Sequence, residues 1–278
     1  MITQFASTLT DIHFSFLMEP VPLYPLLSVY TVGVLSSYFN VSAHVCIVIC
    51  GFVALSQLES LVVCFVEKHQ ALAIILKNHV IPKPLLLMGY LKNALAPIIL
   101  GACLQFMYMT REQHLEYIGK VTHPQLLPGF KNLTHFVIYL NTPDLLWFYI
   151  CLLVGGFGML ASFLIFITDI ILLMRKLKLR LSSTTFQRHQ EAVQSLLVQV
   201  FTAMLCLGPP CVLAVMVFIE VSHGQLVSMI LIAWFTSHSS VNMVFLCVFF
   251  PPYRRFFEKR FIRRSKKKAV IIPSSVIF

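Results

Sequence analysis

The chain has 278 residues, of which 58% are hydrophobic and only 12% charged, with a formal net charge of +10. A soluble domain carries about 25% charged residues, so this composition excludes a water-facing surface and predicts an all-α polytopic membrane helix bundle. The positive charge abuts the ends of apolar runs, which accounts for it by membrane orientation and anionic lipid and leaves no call for a nucleic-acid partner.

In chain order, residues 1–19 form the first and weakest predicted span, mixed apolar and polar, with Asp11 in its middle. Glu19, Pro20, Pro22 and Pro25 break it, and these prolines with Gly33 predict a short loop. The second span covers about 38–66 and is closed by Glu67, Lys68, His69 and Gln70. Pro82 and Pro84 announce the third, about 85–108, which holds Lys92 and Pro97. The longest polar segment, 109–144, carries the sequon Asn132-Leu133-Thr134, a glycosylation acceptor. The fourth span, about 145–174, contains Gly155, Gly156 and Gly158, a small-residue patch where helices are expected to pack closely. A basic segment, 175–192, leads to the fifth span, about 193–219, interrupted by Gly208, Pro209 and Pro210. A short turn precedes the last span, about 226–250, which has no charged residue. The bundle thus occupies 1–253, and 254–278 is a basic tail.

Nine Lys and Arg follow the last span, from Arg254 to Lys268. With the tail cytosolic, the inner segments hold seventeen positive charges and the outer ones three, Arg111, Lys120 and Lys131. That asymmetry sets the orientation, and it puts Asn132 outside.

No G-x-S-x-G, H-E-x-x-H or Walker loop occurs, so no enzyme is expected. The ten histidines are scattered without ligand spacing, so neither a metal nor a cofactor is expected. Ionisable residues within spans are functional candidates. For Asp169 and Glu220, near span ends, snorkelling or local capping is expected. Glu59 fits an interhelical hydrogen bond, and Asp11 lies deeper. A double proline removes backbone hydrogen bonds, so Gly208, Pro209 and Pro210 form a candidate hinge. Ser42 and His44 in the outer part of the second span, and Trp234 and His238 in the last, are candidates with Asp11 for a ligand pocket.

Four stretches carry a family resemblance: ITQFASTLTDIHFSFLMEPVPLYPL (2–26), ESLVVCFVEKHQA (59–71), FQRHQEAVQSLLVQV (186–200) and SHSSVNMVFLCVFFPPYRRFF (237–257). The chain resembles the nematode serpentine chemoreceptors of class I, close to class H, which are seven-helix receptors of sensory neurons coupled to G proteins. The resemblance implies that residues 1–27 correspond to the family's second helix, so that the first is missing here. It also implies an outward ligand pocket and an inner G-protein face, for which Glu67, Lys68, His69, Arg188, Tyr253, Arg254 and Arg255 are candidates. Asp-Arg-Tyr is absent after the second span, as is Asn-Pro-x-x-Tyr in the last, and 109–144 holds no cysteine. The match is therefore to the nematode families and not to rhodopsin-like receptors generally.

The expected function is a chemosensory plasma-membrane receptor with membrane lipid, an extracellular small molecule and a heterotrimeric G protein as partners. A truncated receptor that no longer signals, or a six-span channel or transporter subunit, stays open beside it.

Overall fold

The apolar runs fold as helices in a computed structural model that describes residues 2–122, 127–139, 142–219, 221, 224–249 and 254, with backbone alone at 2–4, 121–122, 206–207, 210, 214, 217–218 and 238–239. Helix α1 (Ile2–Ile12) continues as a π-helical segment, His13–Met18, and ends at Glu19 in a left-handed conformation, φ 44°. Two short strands, β1 (Pro20–Pro22) and β2 (Ser28–Thr31), precede the single turn α2 (Val34–Ser37). Then come α3 (Ala43–Leu76) and α4 (Lys83–Phe106). The outer segment folds into α5 (Arg111–Tyr117), a π-helical turn at Ile118–Thr122, α6 (Leu127–Lys131) and β3 (Phe136–Ile138). The chain closes with α7 (Pro143–Leu177), α8 (Ser183–Ile219), α9 (Gly224–Thr236) and α10 (His238–Phe249).

Among the described residues, α3, α4 and α7 are each long and apolar enough to cross a membrane, and α9 with α10, bent by 49°, makes a fourth. The most apolar window of α7 is only 6% buried within the chain. Phe157 is 69% exposed and Ile165 67%. Such surface is a liability in water and is satisfied by lipid.

Helix α3 is the hub, packed against α1, α4, α7 and α8. Its 34 residues span about 51 Å, more than the roughly 30 Å hydrocarbon layer, so its ends project. Glu67, Lys68 and His69 end the apolar run but not the helix, which continues to Leu76 and stops at Lys77, φ 50°. Charged residues are adequate helix formers, so they mark an exit from the bilayer without breaking the backbone pattern. The inner half of the core joins Phe65 and Leu72 of α3 to Phe163, Ile170 and Leu177 of α7 and Val200 of α8. The rings of Phe65 and Phe163 meet edge to face at 5.5 Å.

Three features depart from the sequence expectations. The proline-rich segment is an antiparallel hairpin rather than a plain loop, and β3 extends it to a sheet in the order β1-β2-β3. Val21 faces Tyr30 and Val29 faces Val137 in the register. Pro20 and Pro22 are tolerated because β1 is the edge strand, where two amides can go unused. Gly155, Gly156 and Gly158 do not serve close packing within the chain. Each is exposed, and a β-carbon there would meet nothing within 4 Å. The last span is broken between Thr236 and His238, where no proline signalled it, whereas α8 stays helical through Gly208, Pro209 and Pro210. The basic tail, with Tyr253 and Arg255, lies outside the described residues except for Arg254.

Candidate ligand cavity and inner-face residues

The hairpin is bolted across the bundle by two side chains. The Tyr24 amide donates to Gln225 Oε1 at 2.8 Å, Gln225 Nε2 donates to the Pro22 carbonyl at 2.7 Å, and the Tyr24 hydroxyl donates to the Val221 carbonyl at 2.6 Å. Gly224 makes this possible, because the Tyr24 ring occupies the space a β-carbon would take. Gly33 plays the same part at the other end of the hairpin, where a β-carbon would lie 2.5 Å from the Leu17 carbonyl oxygen.

Between this hairpin and the helices lies a cavity of about 380 Å³. Ile47, Cys50, Gly51 and Ala54 of α3 line it at the i, i+3, i+4, i+7 spacing of one helix face. Ser228, Leu231, Ile232 and Phe235 of α9 repeat that spacing on the opposite side. Phe14 and Met18, Leu100 and Leu104 of α4, Phe148 and Tyr149 of α7, and Pro209 and Leu213 of α8 complete the wall, with Tyr139 and the hairpin above. The volume falls within the 300–1,000 Å³ range of small-molecule sites.

The residues singled out from sequence stand around this lining rather than in it. Asp11 is half-buried on α1, one turn from Phe14. Ser42 is the N-cap of α3, accepting from the Val45 amide at 3.4 Å. His44 is 2% exposed and sits behind the wall. Its Nδ1 shares a hydrogen bond with the Tyr139 hydroxyl at 3.3 Å, and its ring lies 5.1 Å from that of Tyr108. Burial pushes the Tyr139 phenol up, so it remains a donor. Trp234 is 45% exposed, while its neighbour Phe235 faces inward. The side chain of His238 lies outside the described residues. Of the hinge candidates, Pro209 is buried against the cavity, Gly208 faces open space, and only the backbone of Pro210 is described.

Towards the C-terminal end of α3, three consecutive residues reach three different helices. The Tyr90 hydroxyl of α4 donates to Glu67. Lys68 Nζ donates to His189 Nδ1 of α8 at 2.8 Å. His69 Nε2 donates to Asp169 Oδ2 of α7 at 2.5 Å. His79, beyond the end of α3, donates from Nδ1 to the other Asp169 oxygen at 2.9 Å. Asp169 is thus an interhelical clamp, neither a snorkelling group nor a local cap. Burial lowers the pKa of Lys68, and burial followed by the Lys68 charge lowers that of His189. Arg188 is exposed beside this contact, and Arg254 is exposed. Higher in α3, buried Glu59 lies 3.6 Å from Lys92 Nζ of α4, an interhelical ion pair rather than the hydrogen bond expected.

The outer segment is held by a capping box at Thr110 and Gln113 and by Arg111, which donates to the carbonyls of Lys131 and Leu133. His114 is 3% exposed with its ring 5.7 Å from that of Phe136. Burial, and then His44, pushes its pKa down to about 4. Asn132 and Thr134 are exposed, so the sequon is accessible. Sequence reasoning missed Tyr24, Gln225 and Tyr139, which have no local pattern, and it also missed the two helix faces that line the cavity.

No curated protein and no solved structure matches the chain. The family model described as serpentine type 7TM GPCR chemoreceptor Sri matches residues 1–257, nearly the whole sequence. With its apolar membrane-capable helices and all-α bundle, the chain belongs to the Sri family of serpentine seven-transmembrane chemoreceptors.

Proposed function

We propose that the chain is a chemosensory receptor that binds an extracellular small molecule in the 380 Å³ cavity and signals to a heterotrimeric G protein. It does so from the plasma membrane of sensory neurons, with the tail cytosolic. The observation that carries this reading is that Pro209 lines the cavity together with Ser228, Leu231 and Phe235. A molecule there touches both the double-proline segment of α8 and the outer half of the last span. Two successive prolines leave the carbonyls one turn earlier without helical donors, so α8 is easiest to bend at that level. Gly208, Pro209 and Pro210 then act as the hinge.

Ligand shifts the receptor only through different affinities for two arrangements. In the resting arrangement Lys68 and His69 hold α8 and α7 at the inner end. In the signalling arrangement α8 swings away from Lys68 and the inner face is freed. Glu67, Lys68, His69 and Arg188, with Tyr253, Arg254 and Arg255 of the tail, then meet the G protein.

The test is ligand-dependent G-protein activation in cells expressing the chain, with surface delivery measured in parallel. Activation by at least one compound supports the reading. Silence across a broad odorant panel, at normal surface levels, counts against it.

A further inference from the structure

We infer that the cavity selects uncharged, largely apolar ligands of about a dozen non-hydrogen atoms and rejects both carboxylates and ammonium ions. This rests on the reading of the cavity as the ligand site. The size follows from 380 Å³ at about 30 Å³ per water-sized group.

The exclusion of charge follows from what the wall offers. Among the described residues, its lining contains no Asp, Glu, Lys, Arg or His. A primary ammonium ion therefore finds no carboxylate, and aromatic faces accept no conventional hydrogen bonds to replace the hydration of its three N–H groups. An anion needs donors, and three hydroxyls of the wall have turned their protons elsewhere. Ser28 donates to the Leu23 carbonyl at 3.0 Å, Ser228 to the Gly224 carbonyl at 2.7 Å, and Tyr24 to the Val221 carbonyl at 2.6 Å. The Tyr139 hydroxyl is engaged with His44 Nδ1. A hydroxyl whose proton is used retains only lone pairs, which repel an anion and accept from a neutral donor. A charged ligand would thus be buried without an oppositely charged partner among the described residues.

The experiment uses the full chain in lipid nanodiscs and four probes on one skeleton: 4-phenyl-1-butanol, 4-phenyl-2-butanone, 4-phenylbutyrate and 4-phenylbutylammonium. Binding is measured by ligand-observed NMR for the wild type, for Ala54→Phe and for Ile232→Trp, which fill the cavity from opposite sides, with melting temperatures recorded for each. The two neutral probes are expected to bind at least about 100-fold more tightly than the two ions, and to be lost in whichever variant melts normally. Equal or tighter binding of the anion or the cation, still blocked by a cavity-filling variant, overturns the inference and leaves the cavity as the site. Binding of every probe unchanged in both filled variants, or binding of none up to solubility, overturns the cavity reading itself and the inference with it.

Discussion

The ring of Tyr24 lies over Gly224 so closely that a β-carbon at 224 would stand 2.5 Å from Cζ. This contact joins the outer hairpin to the start of α9, and both border the cavity. Gly224→Ala is expected to force the ring aside, break its bond to the Val221 carbonyl, and lower stability by about 1–3 kcal/mol. Tyr24→Phe removes the hydroxyl alone and is expected to cost about 1 kcal/mol. Melting of the purified protein in nanodiscs measures both. An alanine variant as stable as wild type would show that the ring yields freely.

At the other end of the bundle, Lys68 and His189 restrain α8 against α3. His189→Ala removes the acceptor and leaves a half-buried ammonium without it. Basal G-protein activity is expected to rise severalfold at equal surface expression. Basal activity at or below the wild-type level would mean that this bond does not hold the resting arrangement.

Buried Glu59 of α3 and exposed Lys92 of α4 form a pair. Lys92→Met leaves the buried Glu59 without it and is expected to destabilise by about 1–3 kcal/mol, while the double variant with Glu59→Gln recovers most of the loss. A double-mutant cycle on thermal unfolding reads the coupling directly. Simple additivity of the two changes would remove the pair from the account of how α3 and α4 are held.

The outer segment is expected to loosen in acid. His114 has a pKa of about 4 when closed and 6.5 when exposed, so between these values the open form binds a proton that the closed form lacks. Closure is then fully stable above pH 6.5 and weakens as pH falls towards 4. The groups facing His114 are the His44 imidazole and the Phe136 ring, and neither is an acid that would stabilise its charged form. Amide exchange at Val29 and Val137, corrected for intrinsic rates, is expected to accelerate across this window in wild type and to stay flat in His114→Leu. A flat wild-type profile would exclude His114 as the titrating group.

Much of the architecture was legible because bilayer physics acts on composition. The uncharged run from Leu226 to Phe250 has no soluble alternative, and the basic residues that follow it set the expected orientation whatever the packing. The interhelical role of Glu59 was legible for a related reason, since a lone acid in an apolar run needs a partner. The cavity lining was not legible. Trp234 and Phe235 are adjacent, and a helix turns about 100° per residue, so choosing the wrong one moves the side chain from the cavity to the lipid. Asp169 reads as a span-end charge until two histidines from elsewhere in the chain meet it.

The sequence by itself determined that this is a polytopic helical membrane protein of the serpentine chemoreceptor family, because low charge density and ordered family stretches are properties of the chain. Only the tertiary structure decided that Tyr24 reaches Val221 across 197 positions, that Glu67, Lys68 and His69 each grip a different helix, and that the described residues of the cavity wall carry no charge. Those are statements about which helix faces turn towards one another. Local pattern states a face's polarity, but its partner is chosen by packing.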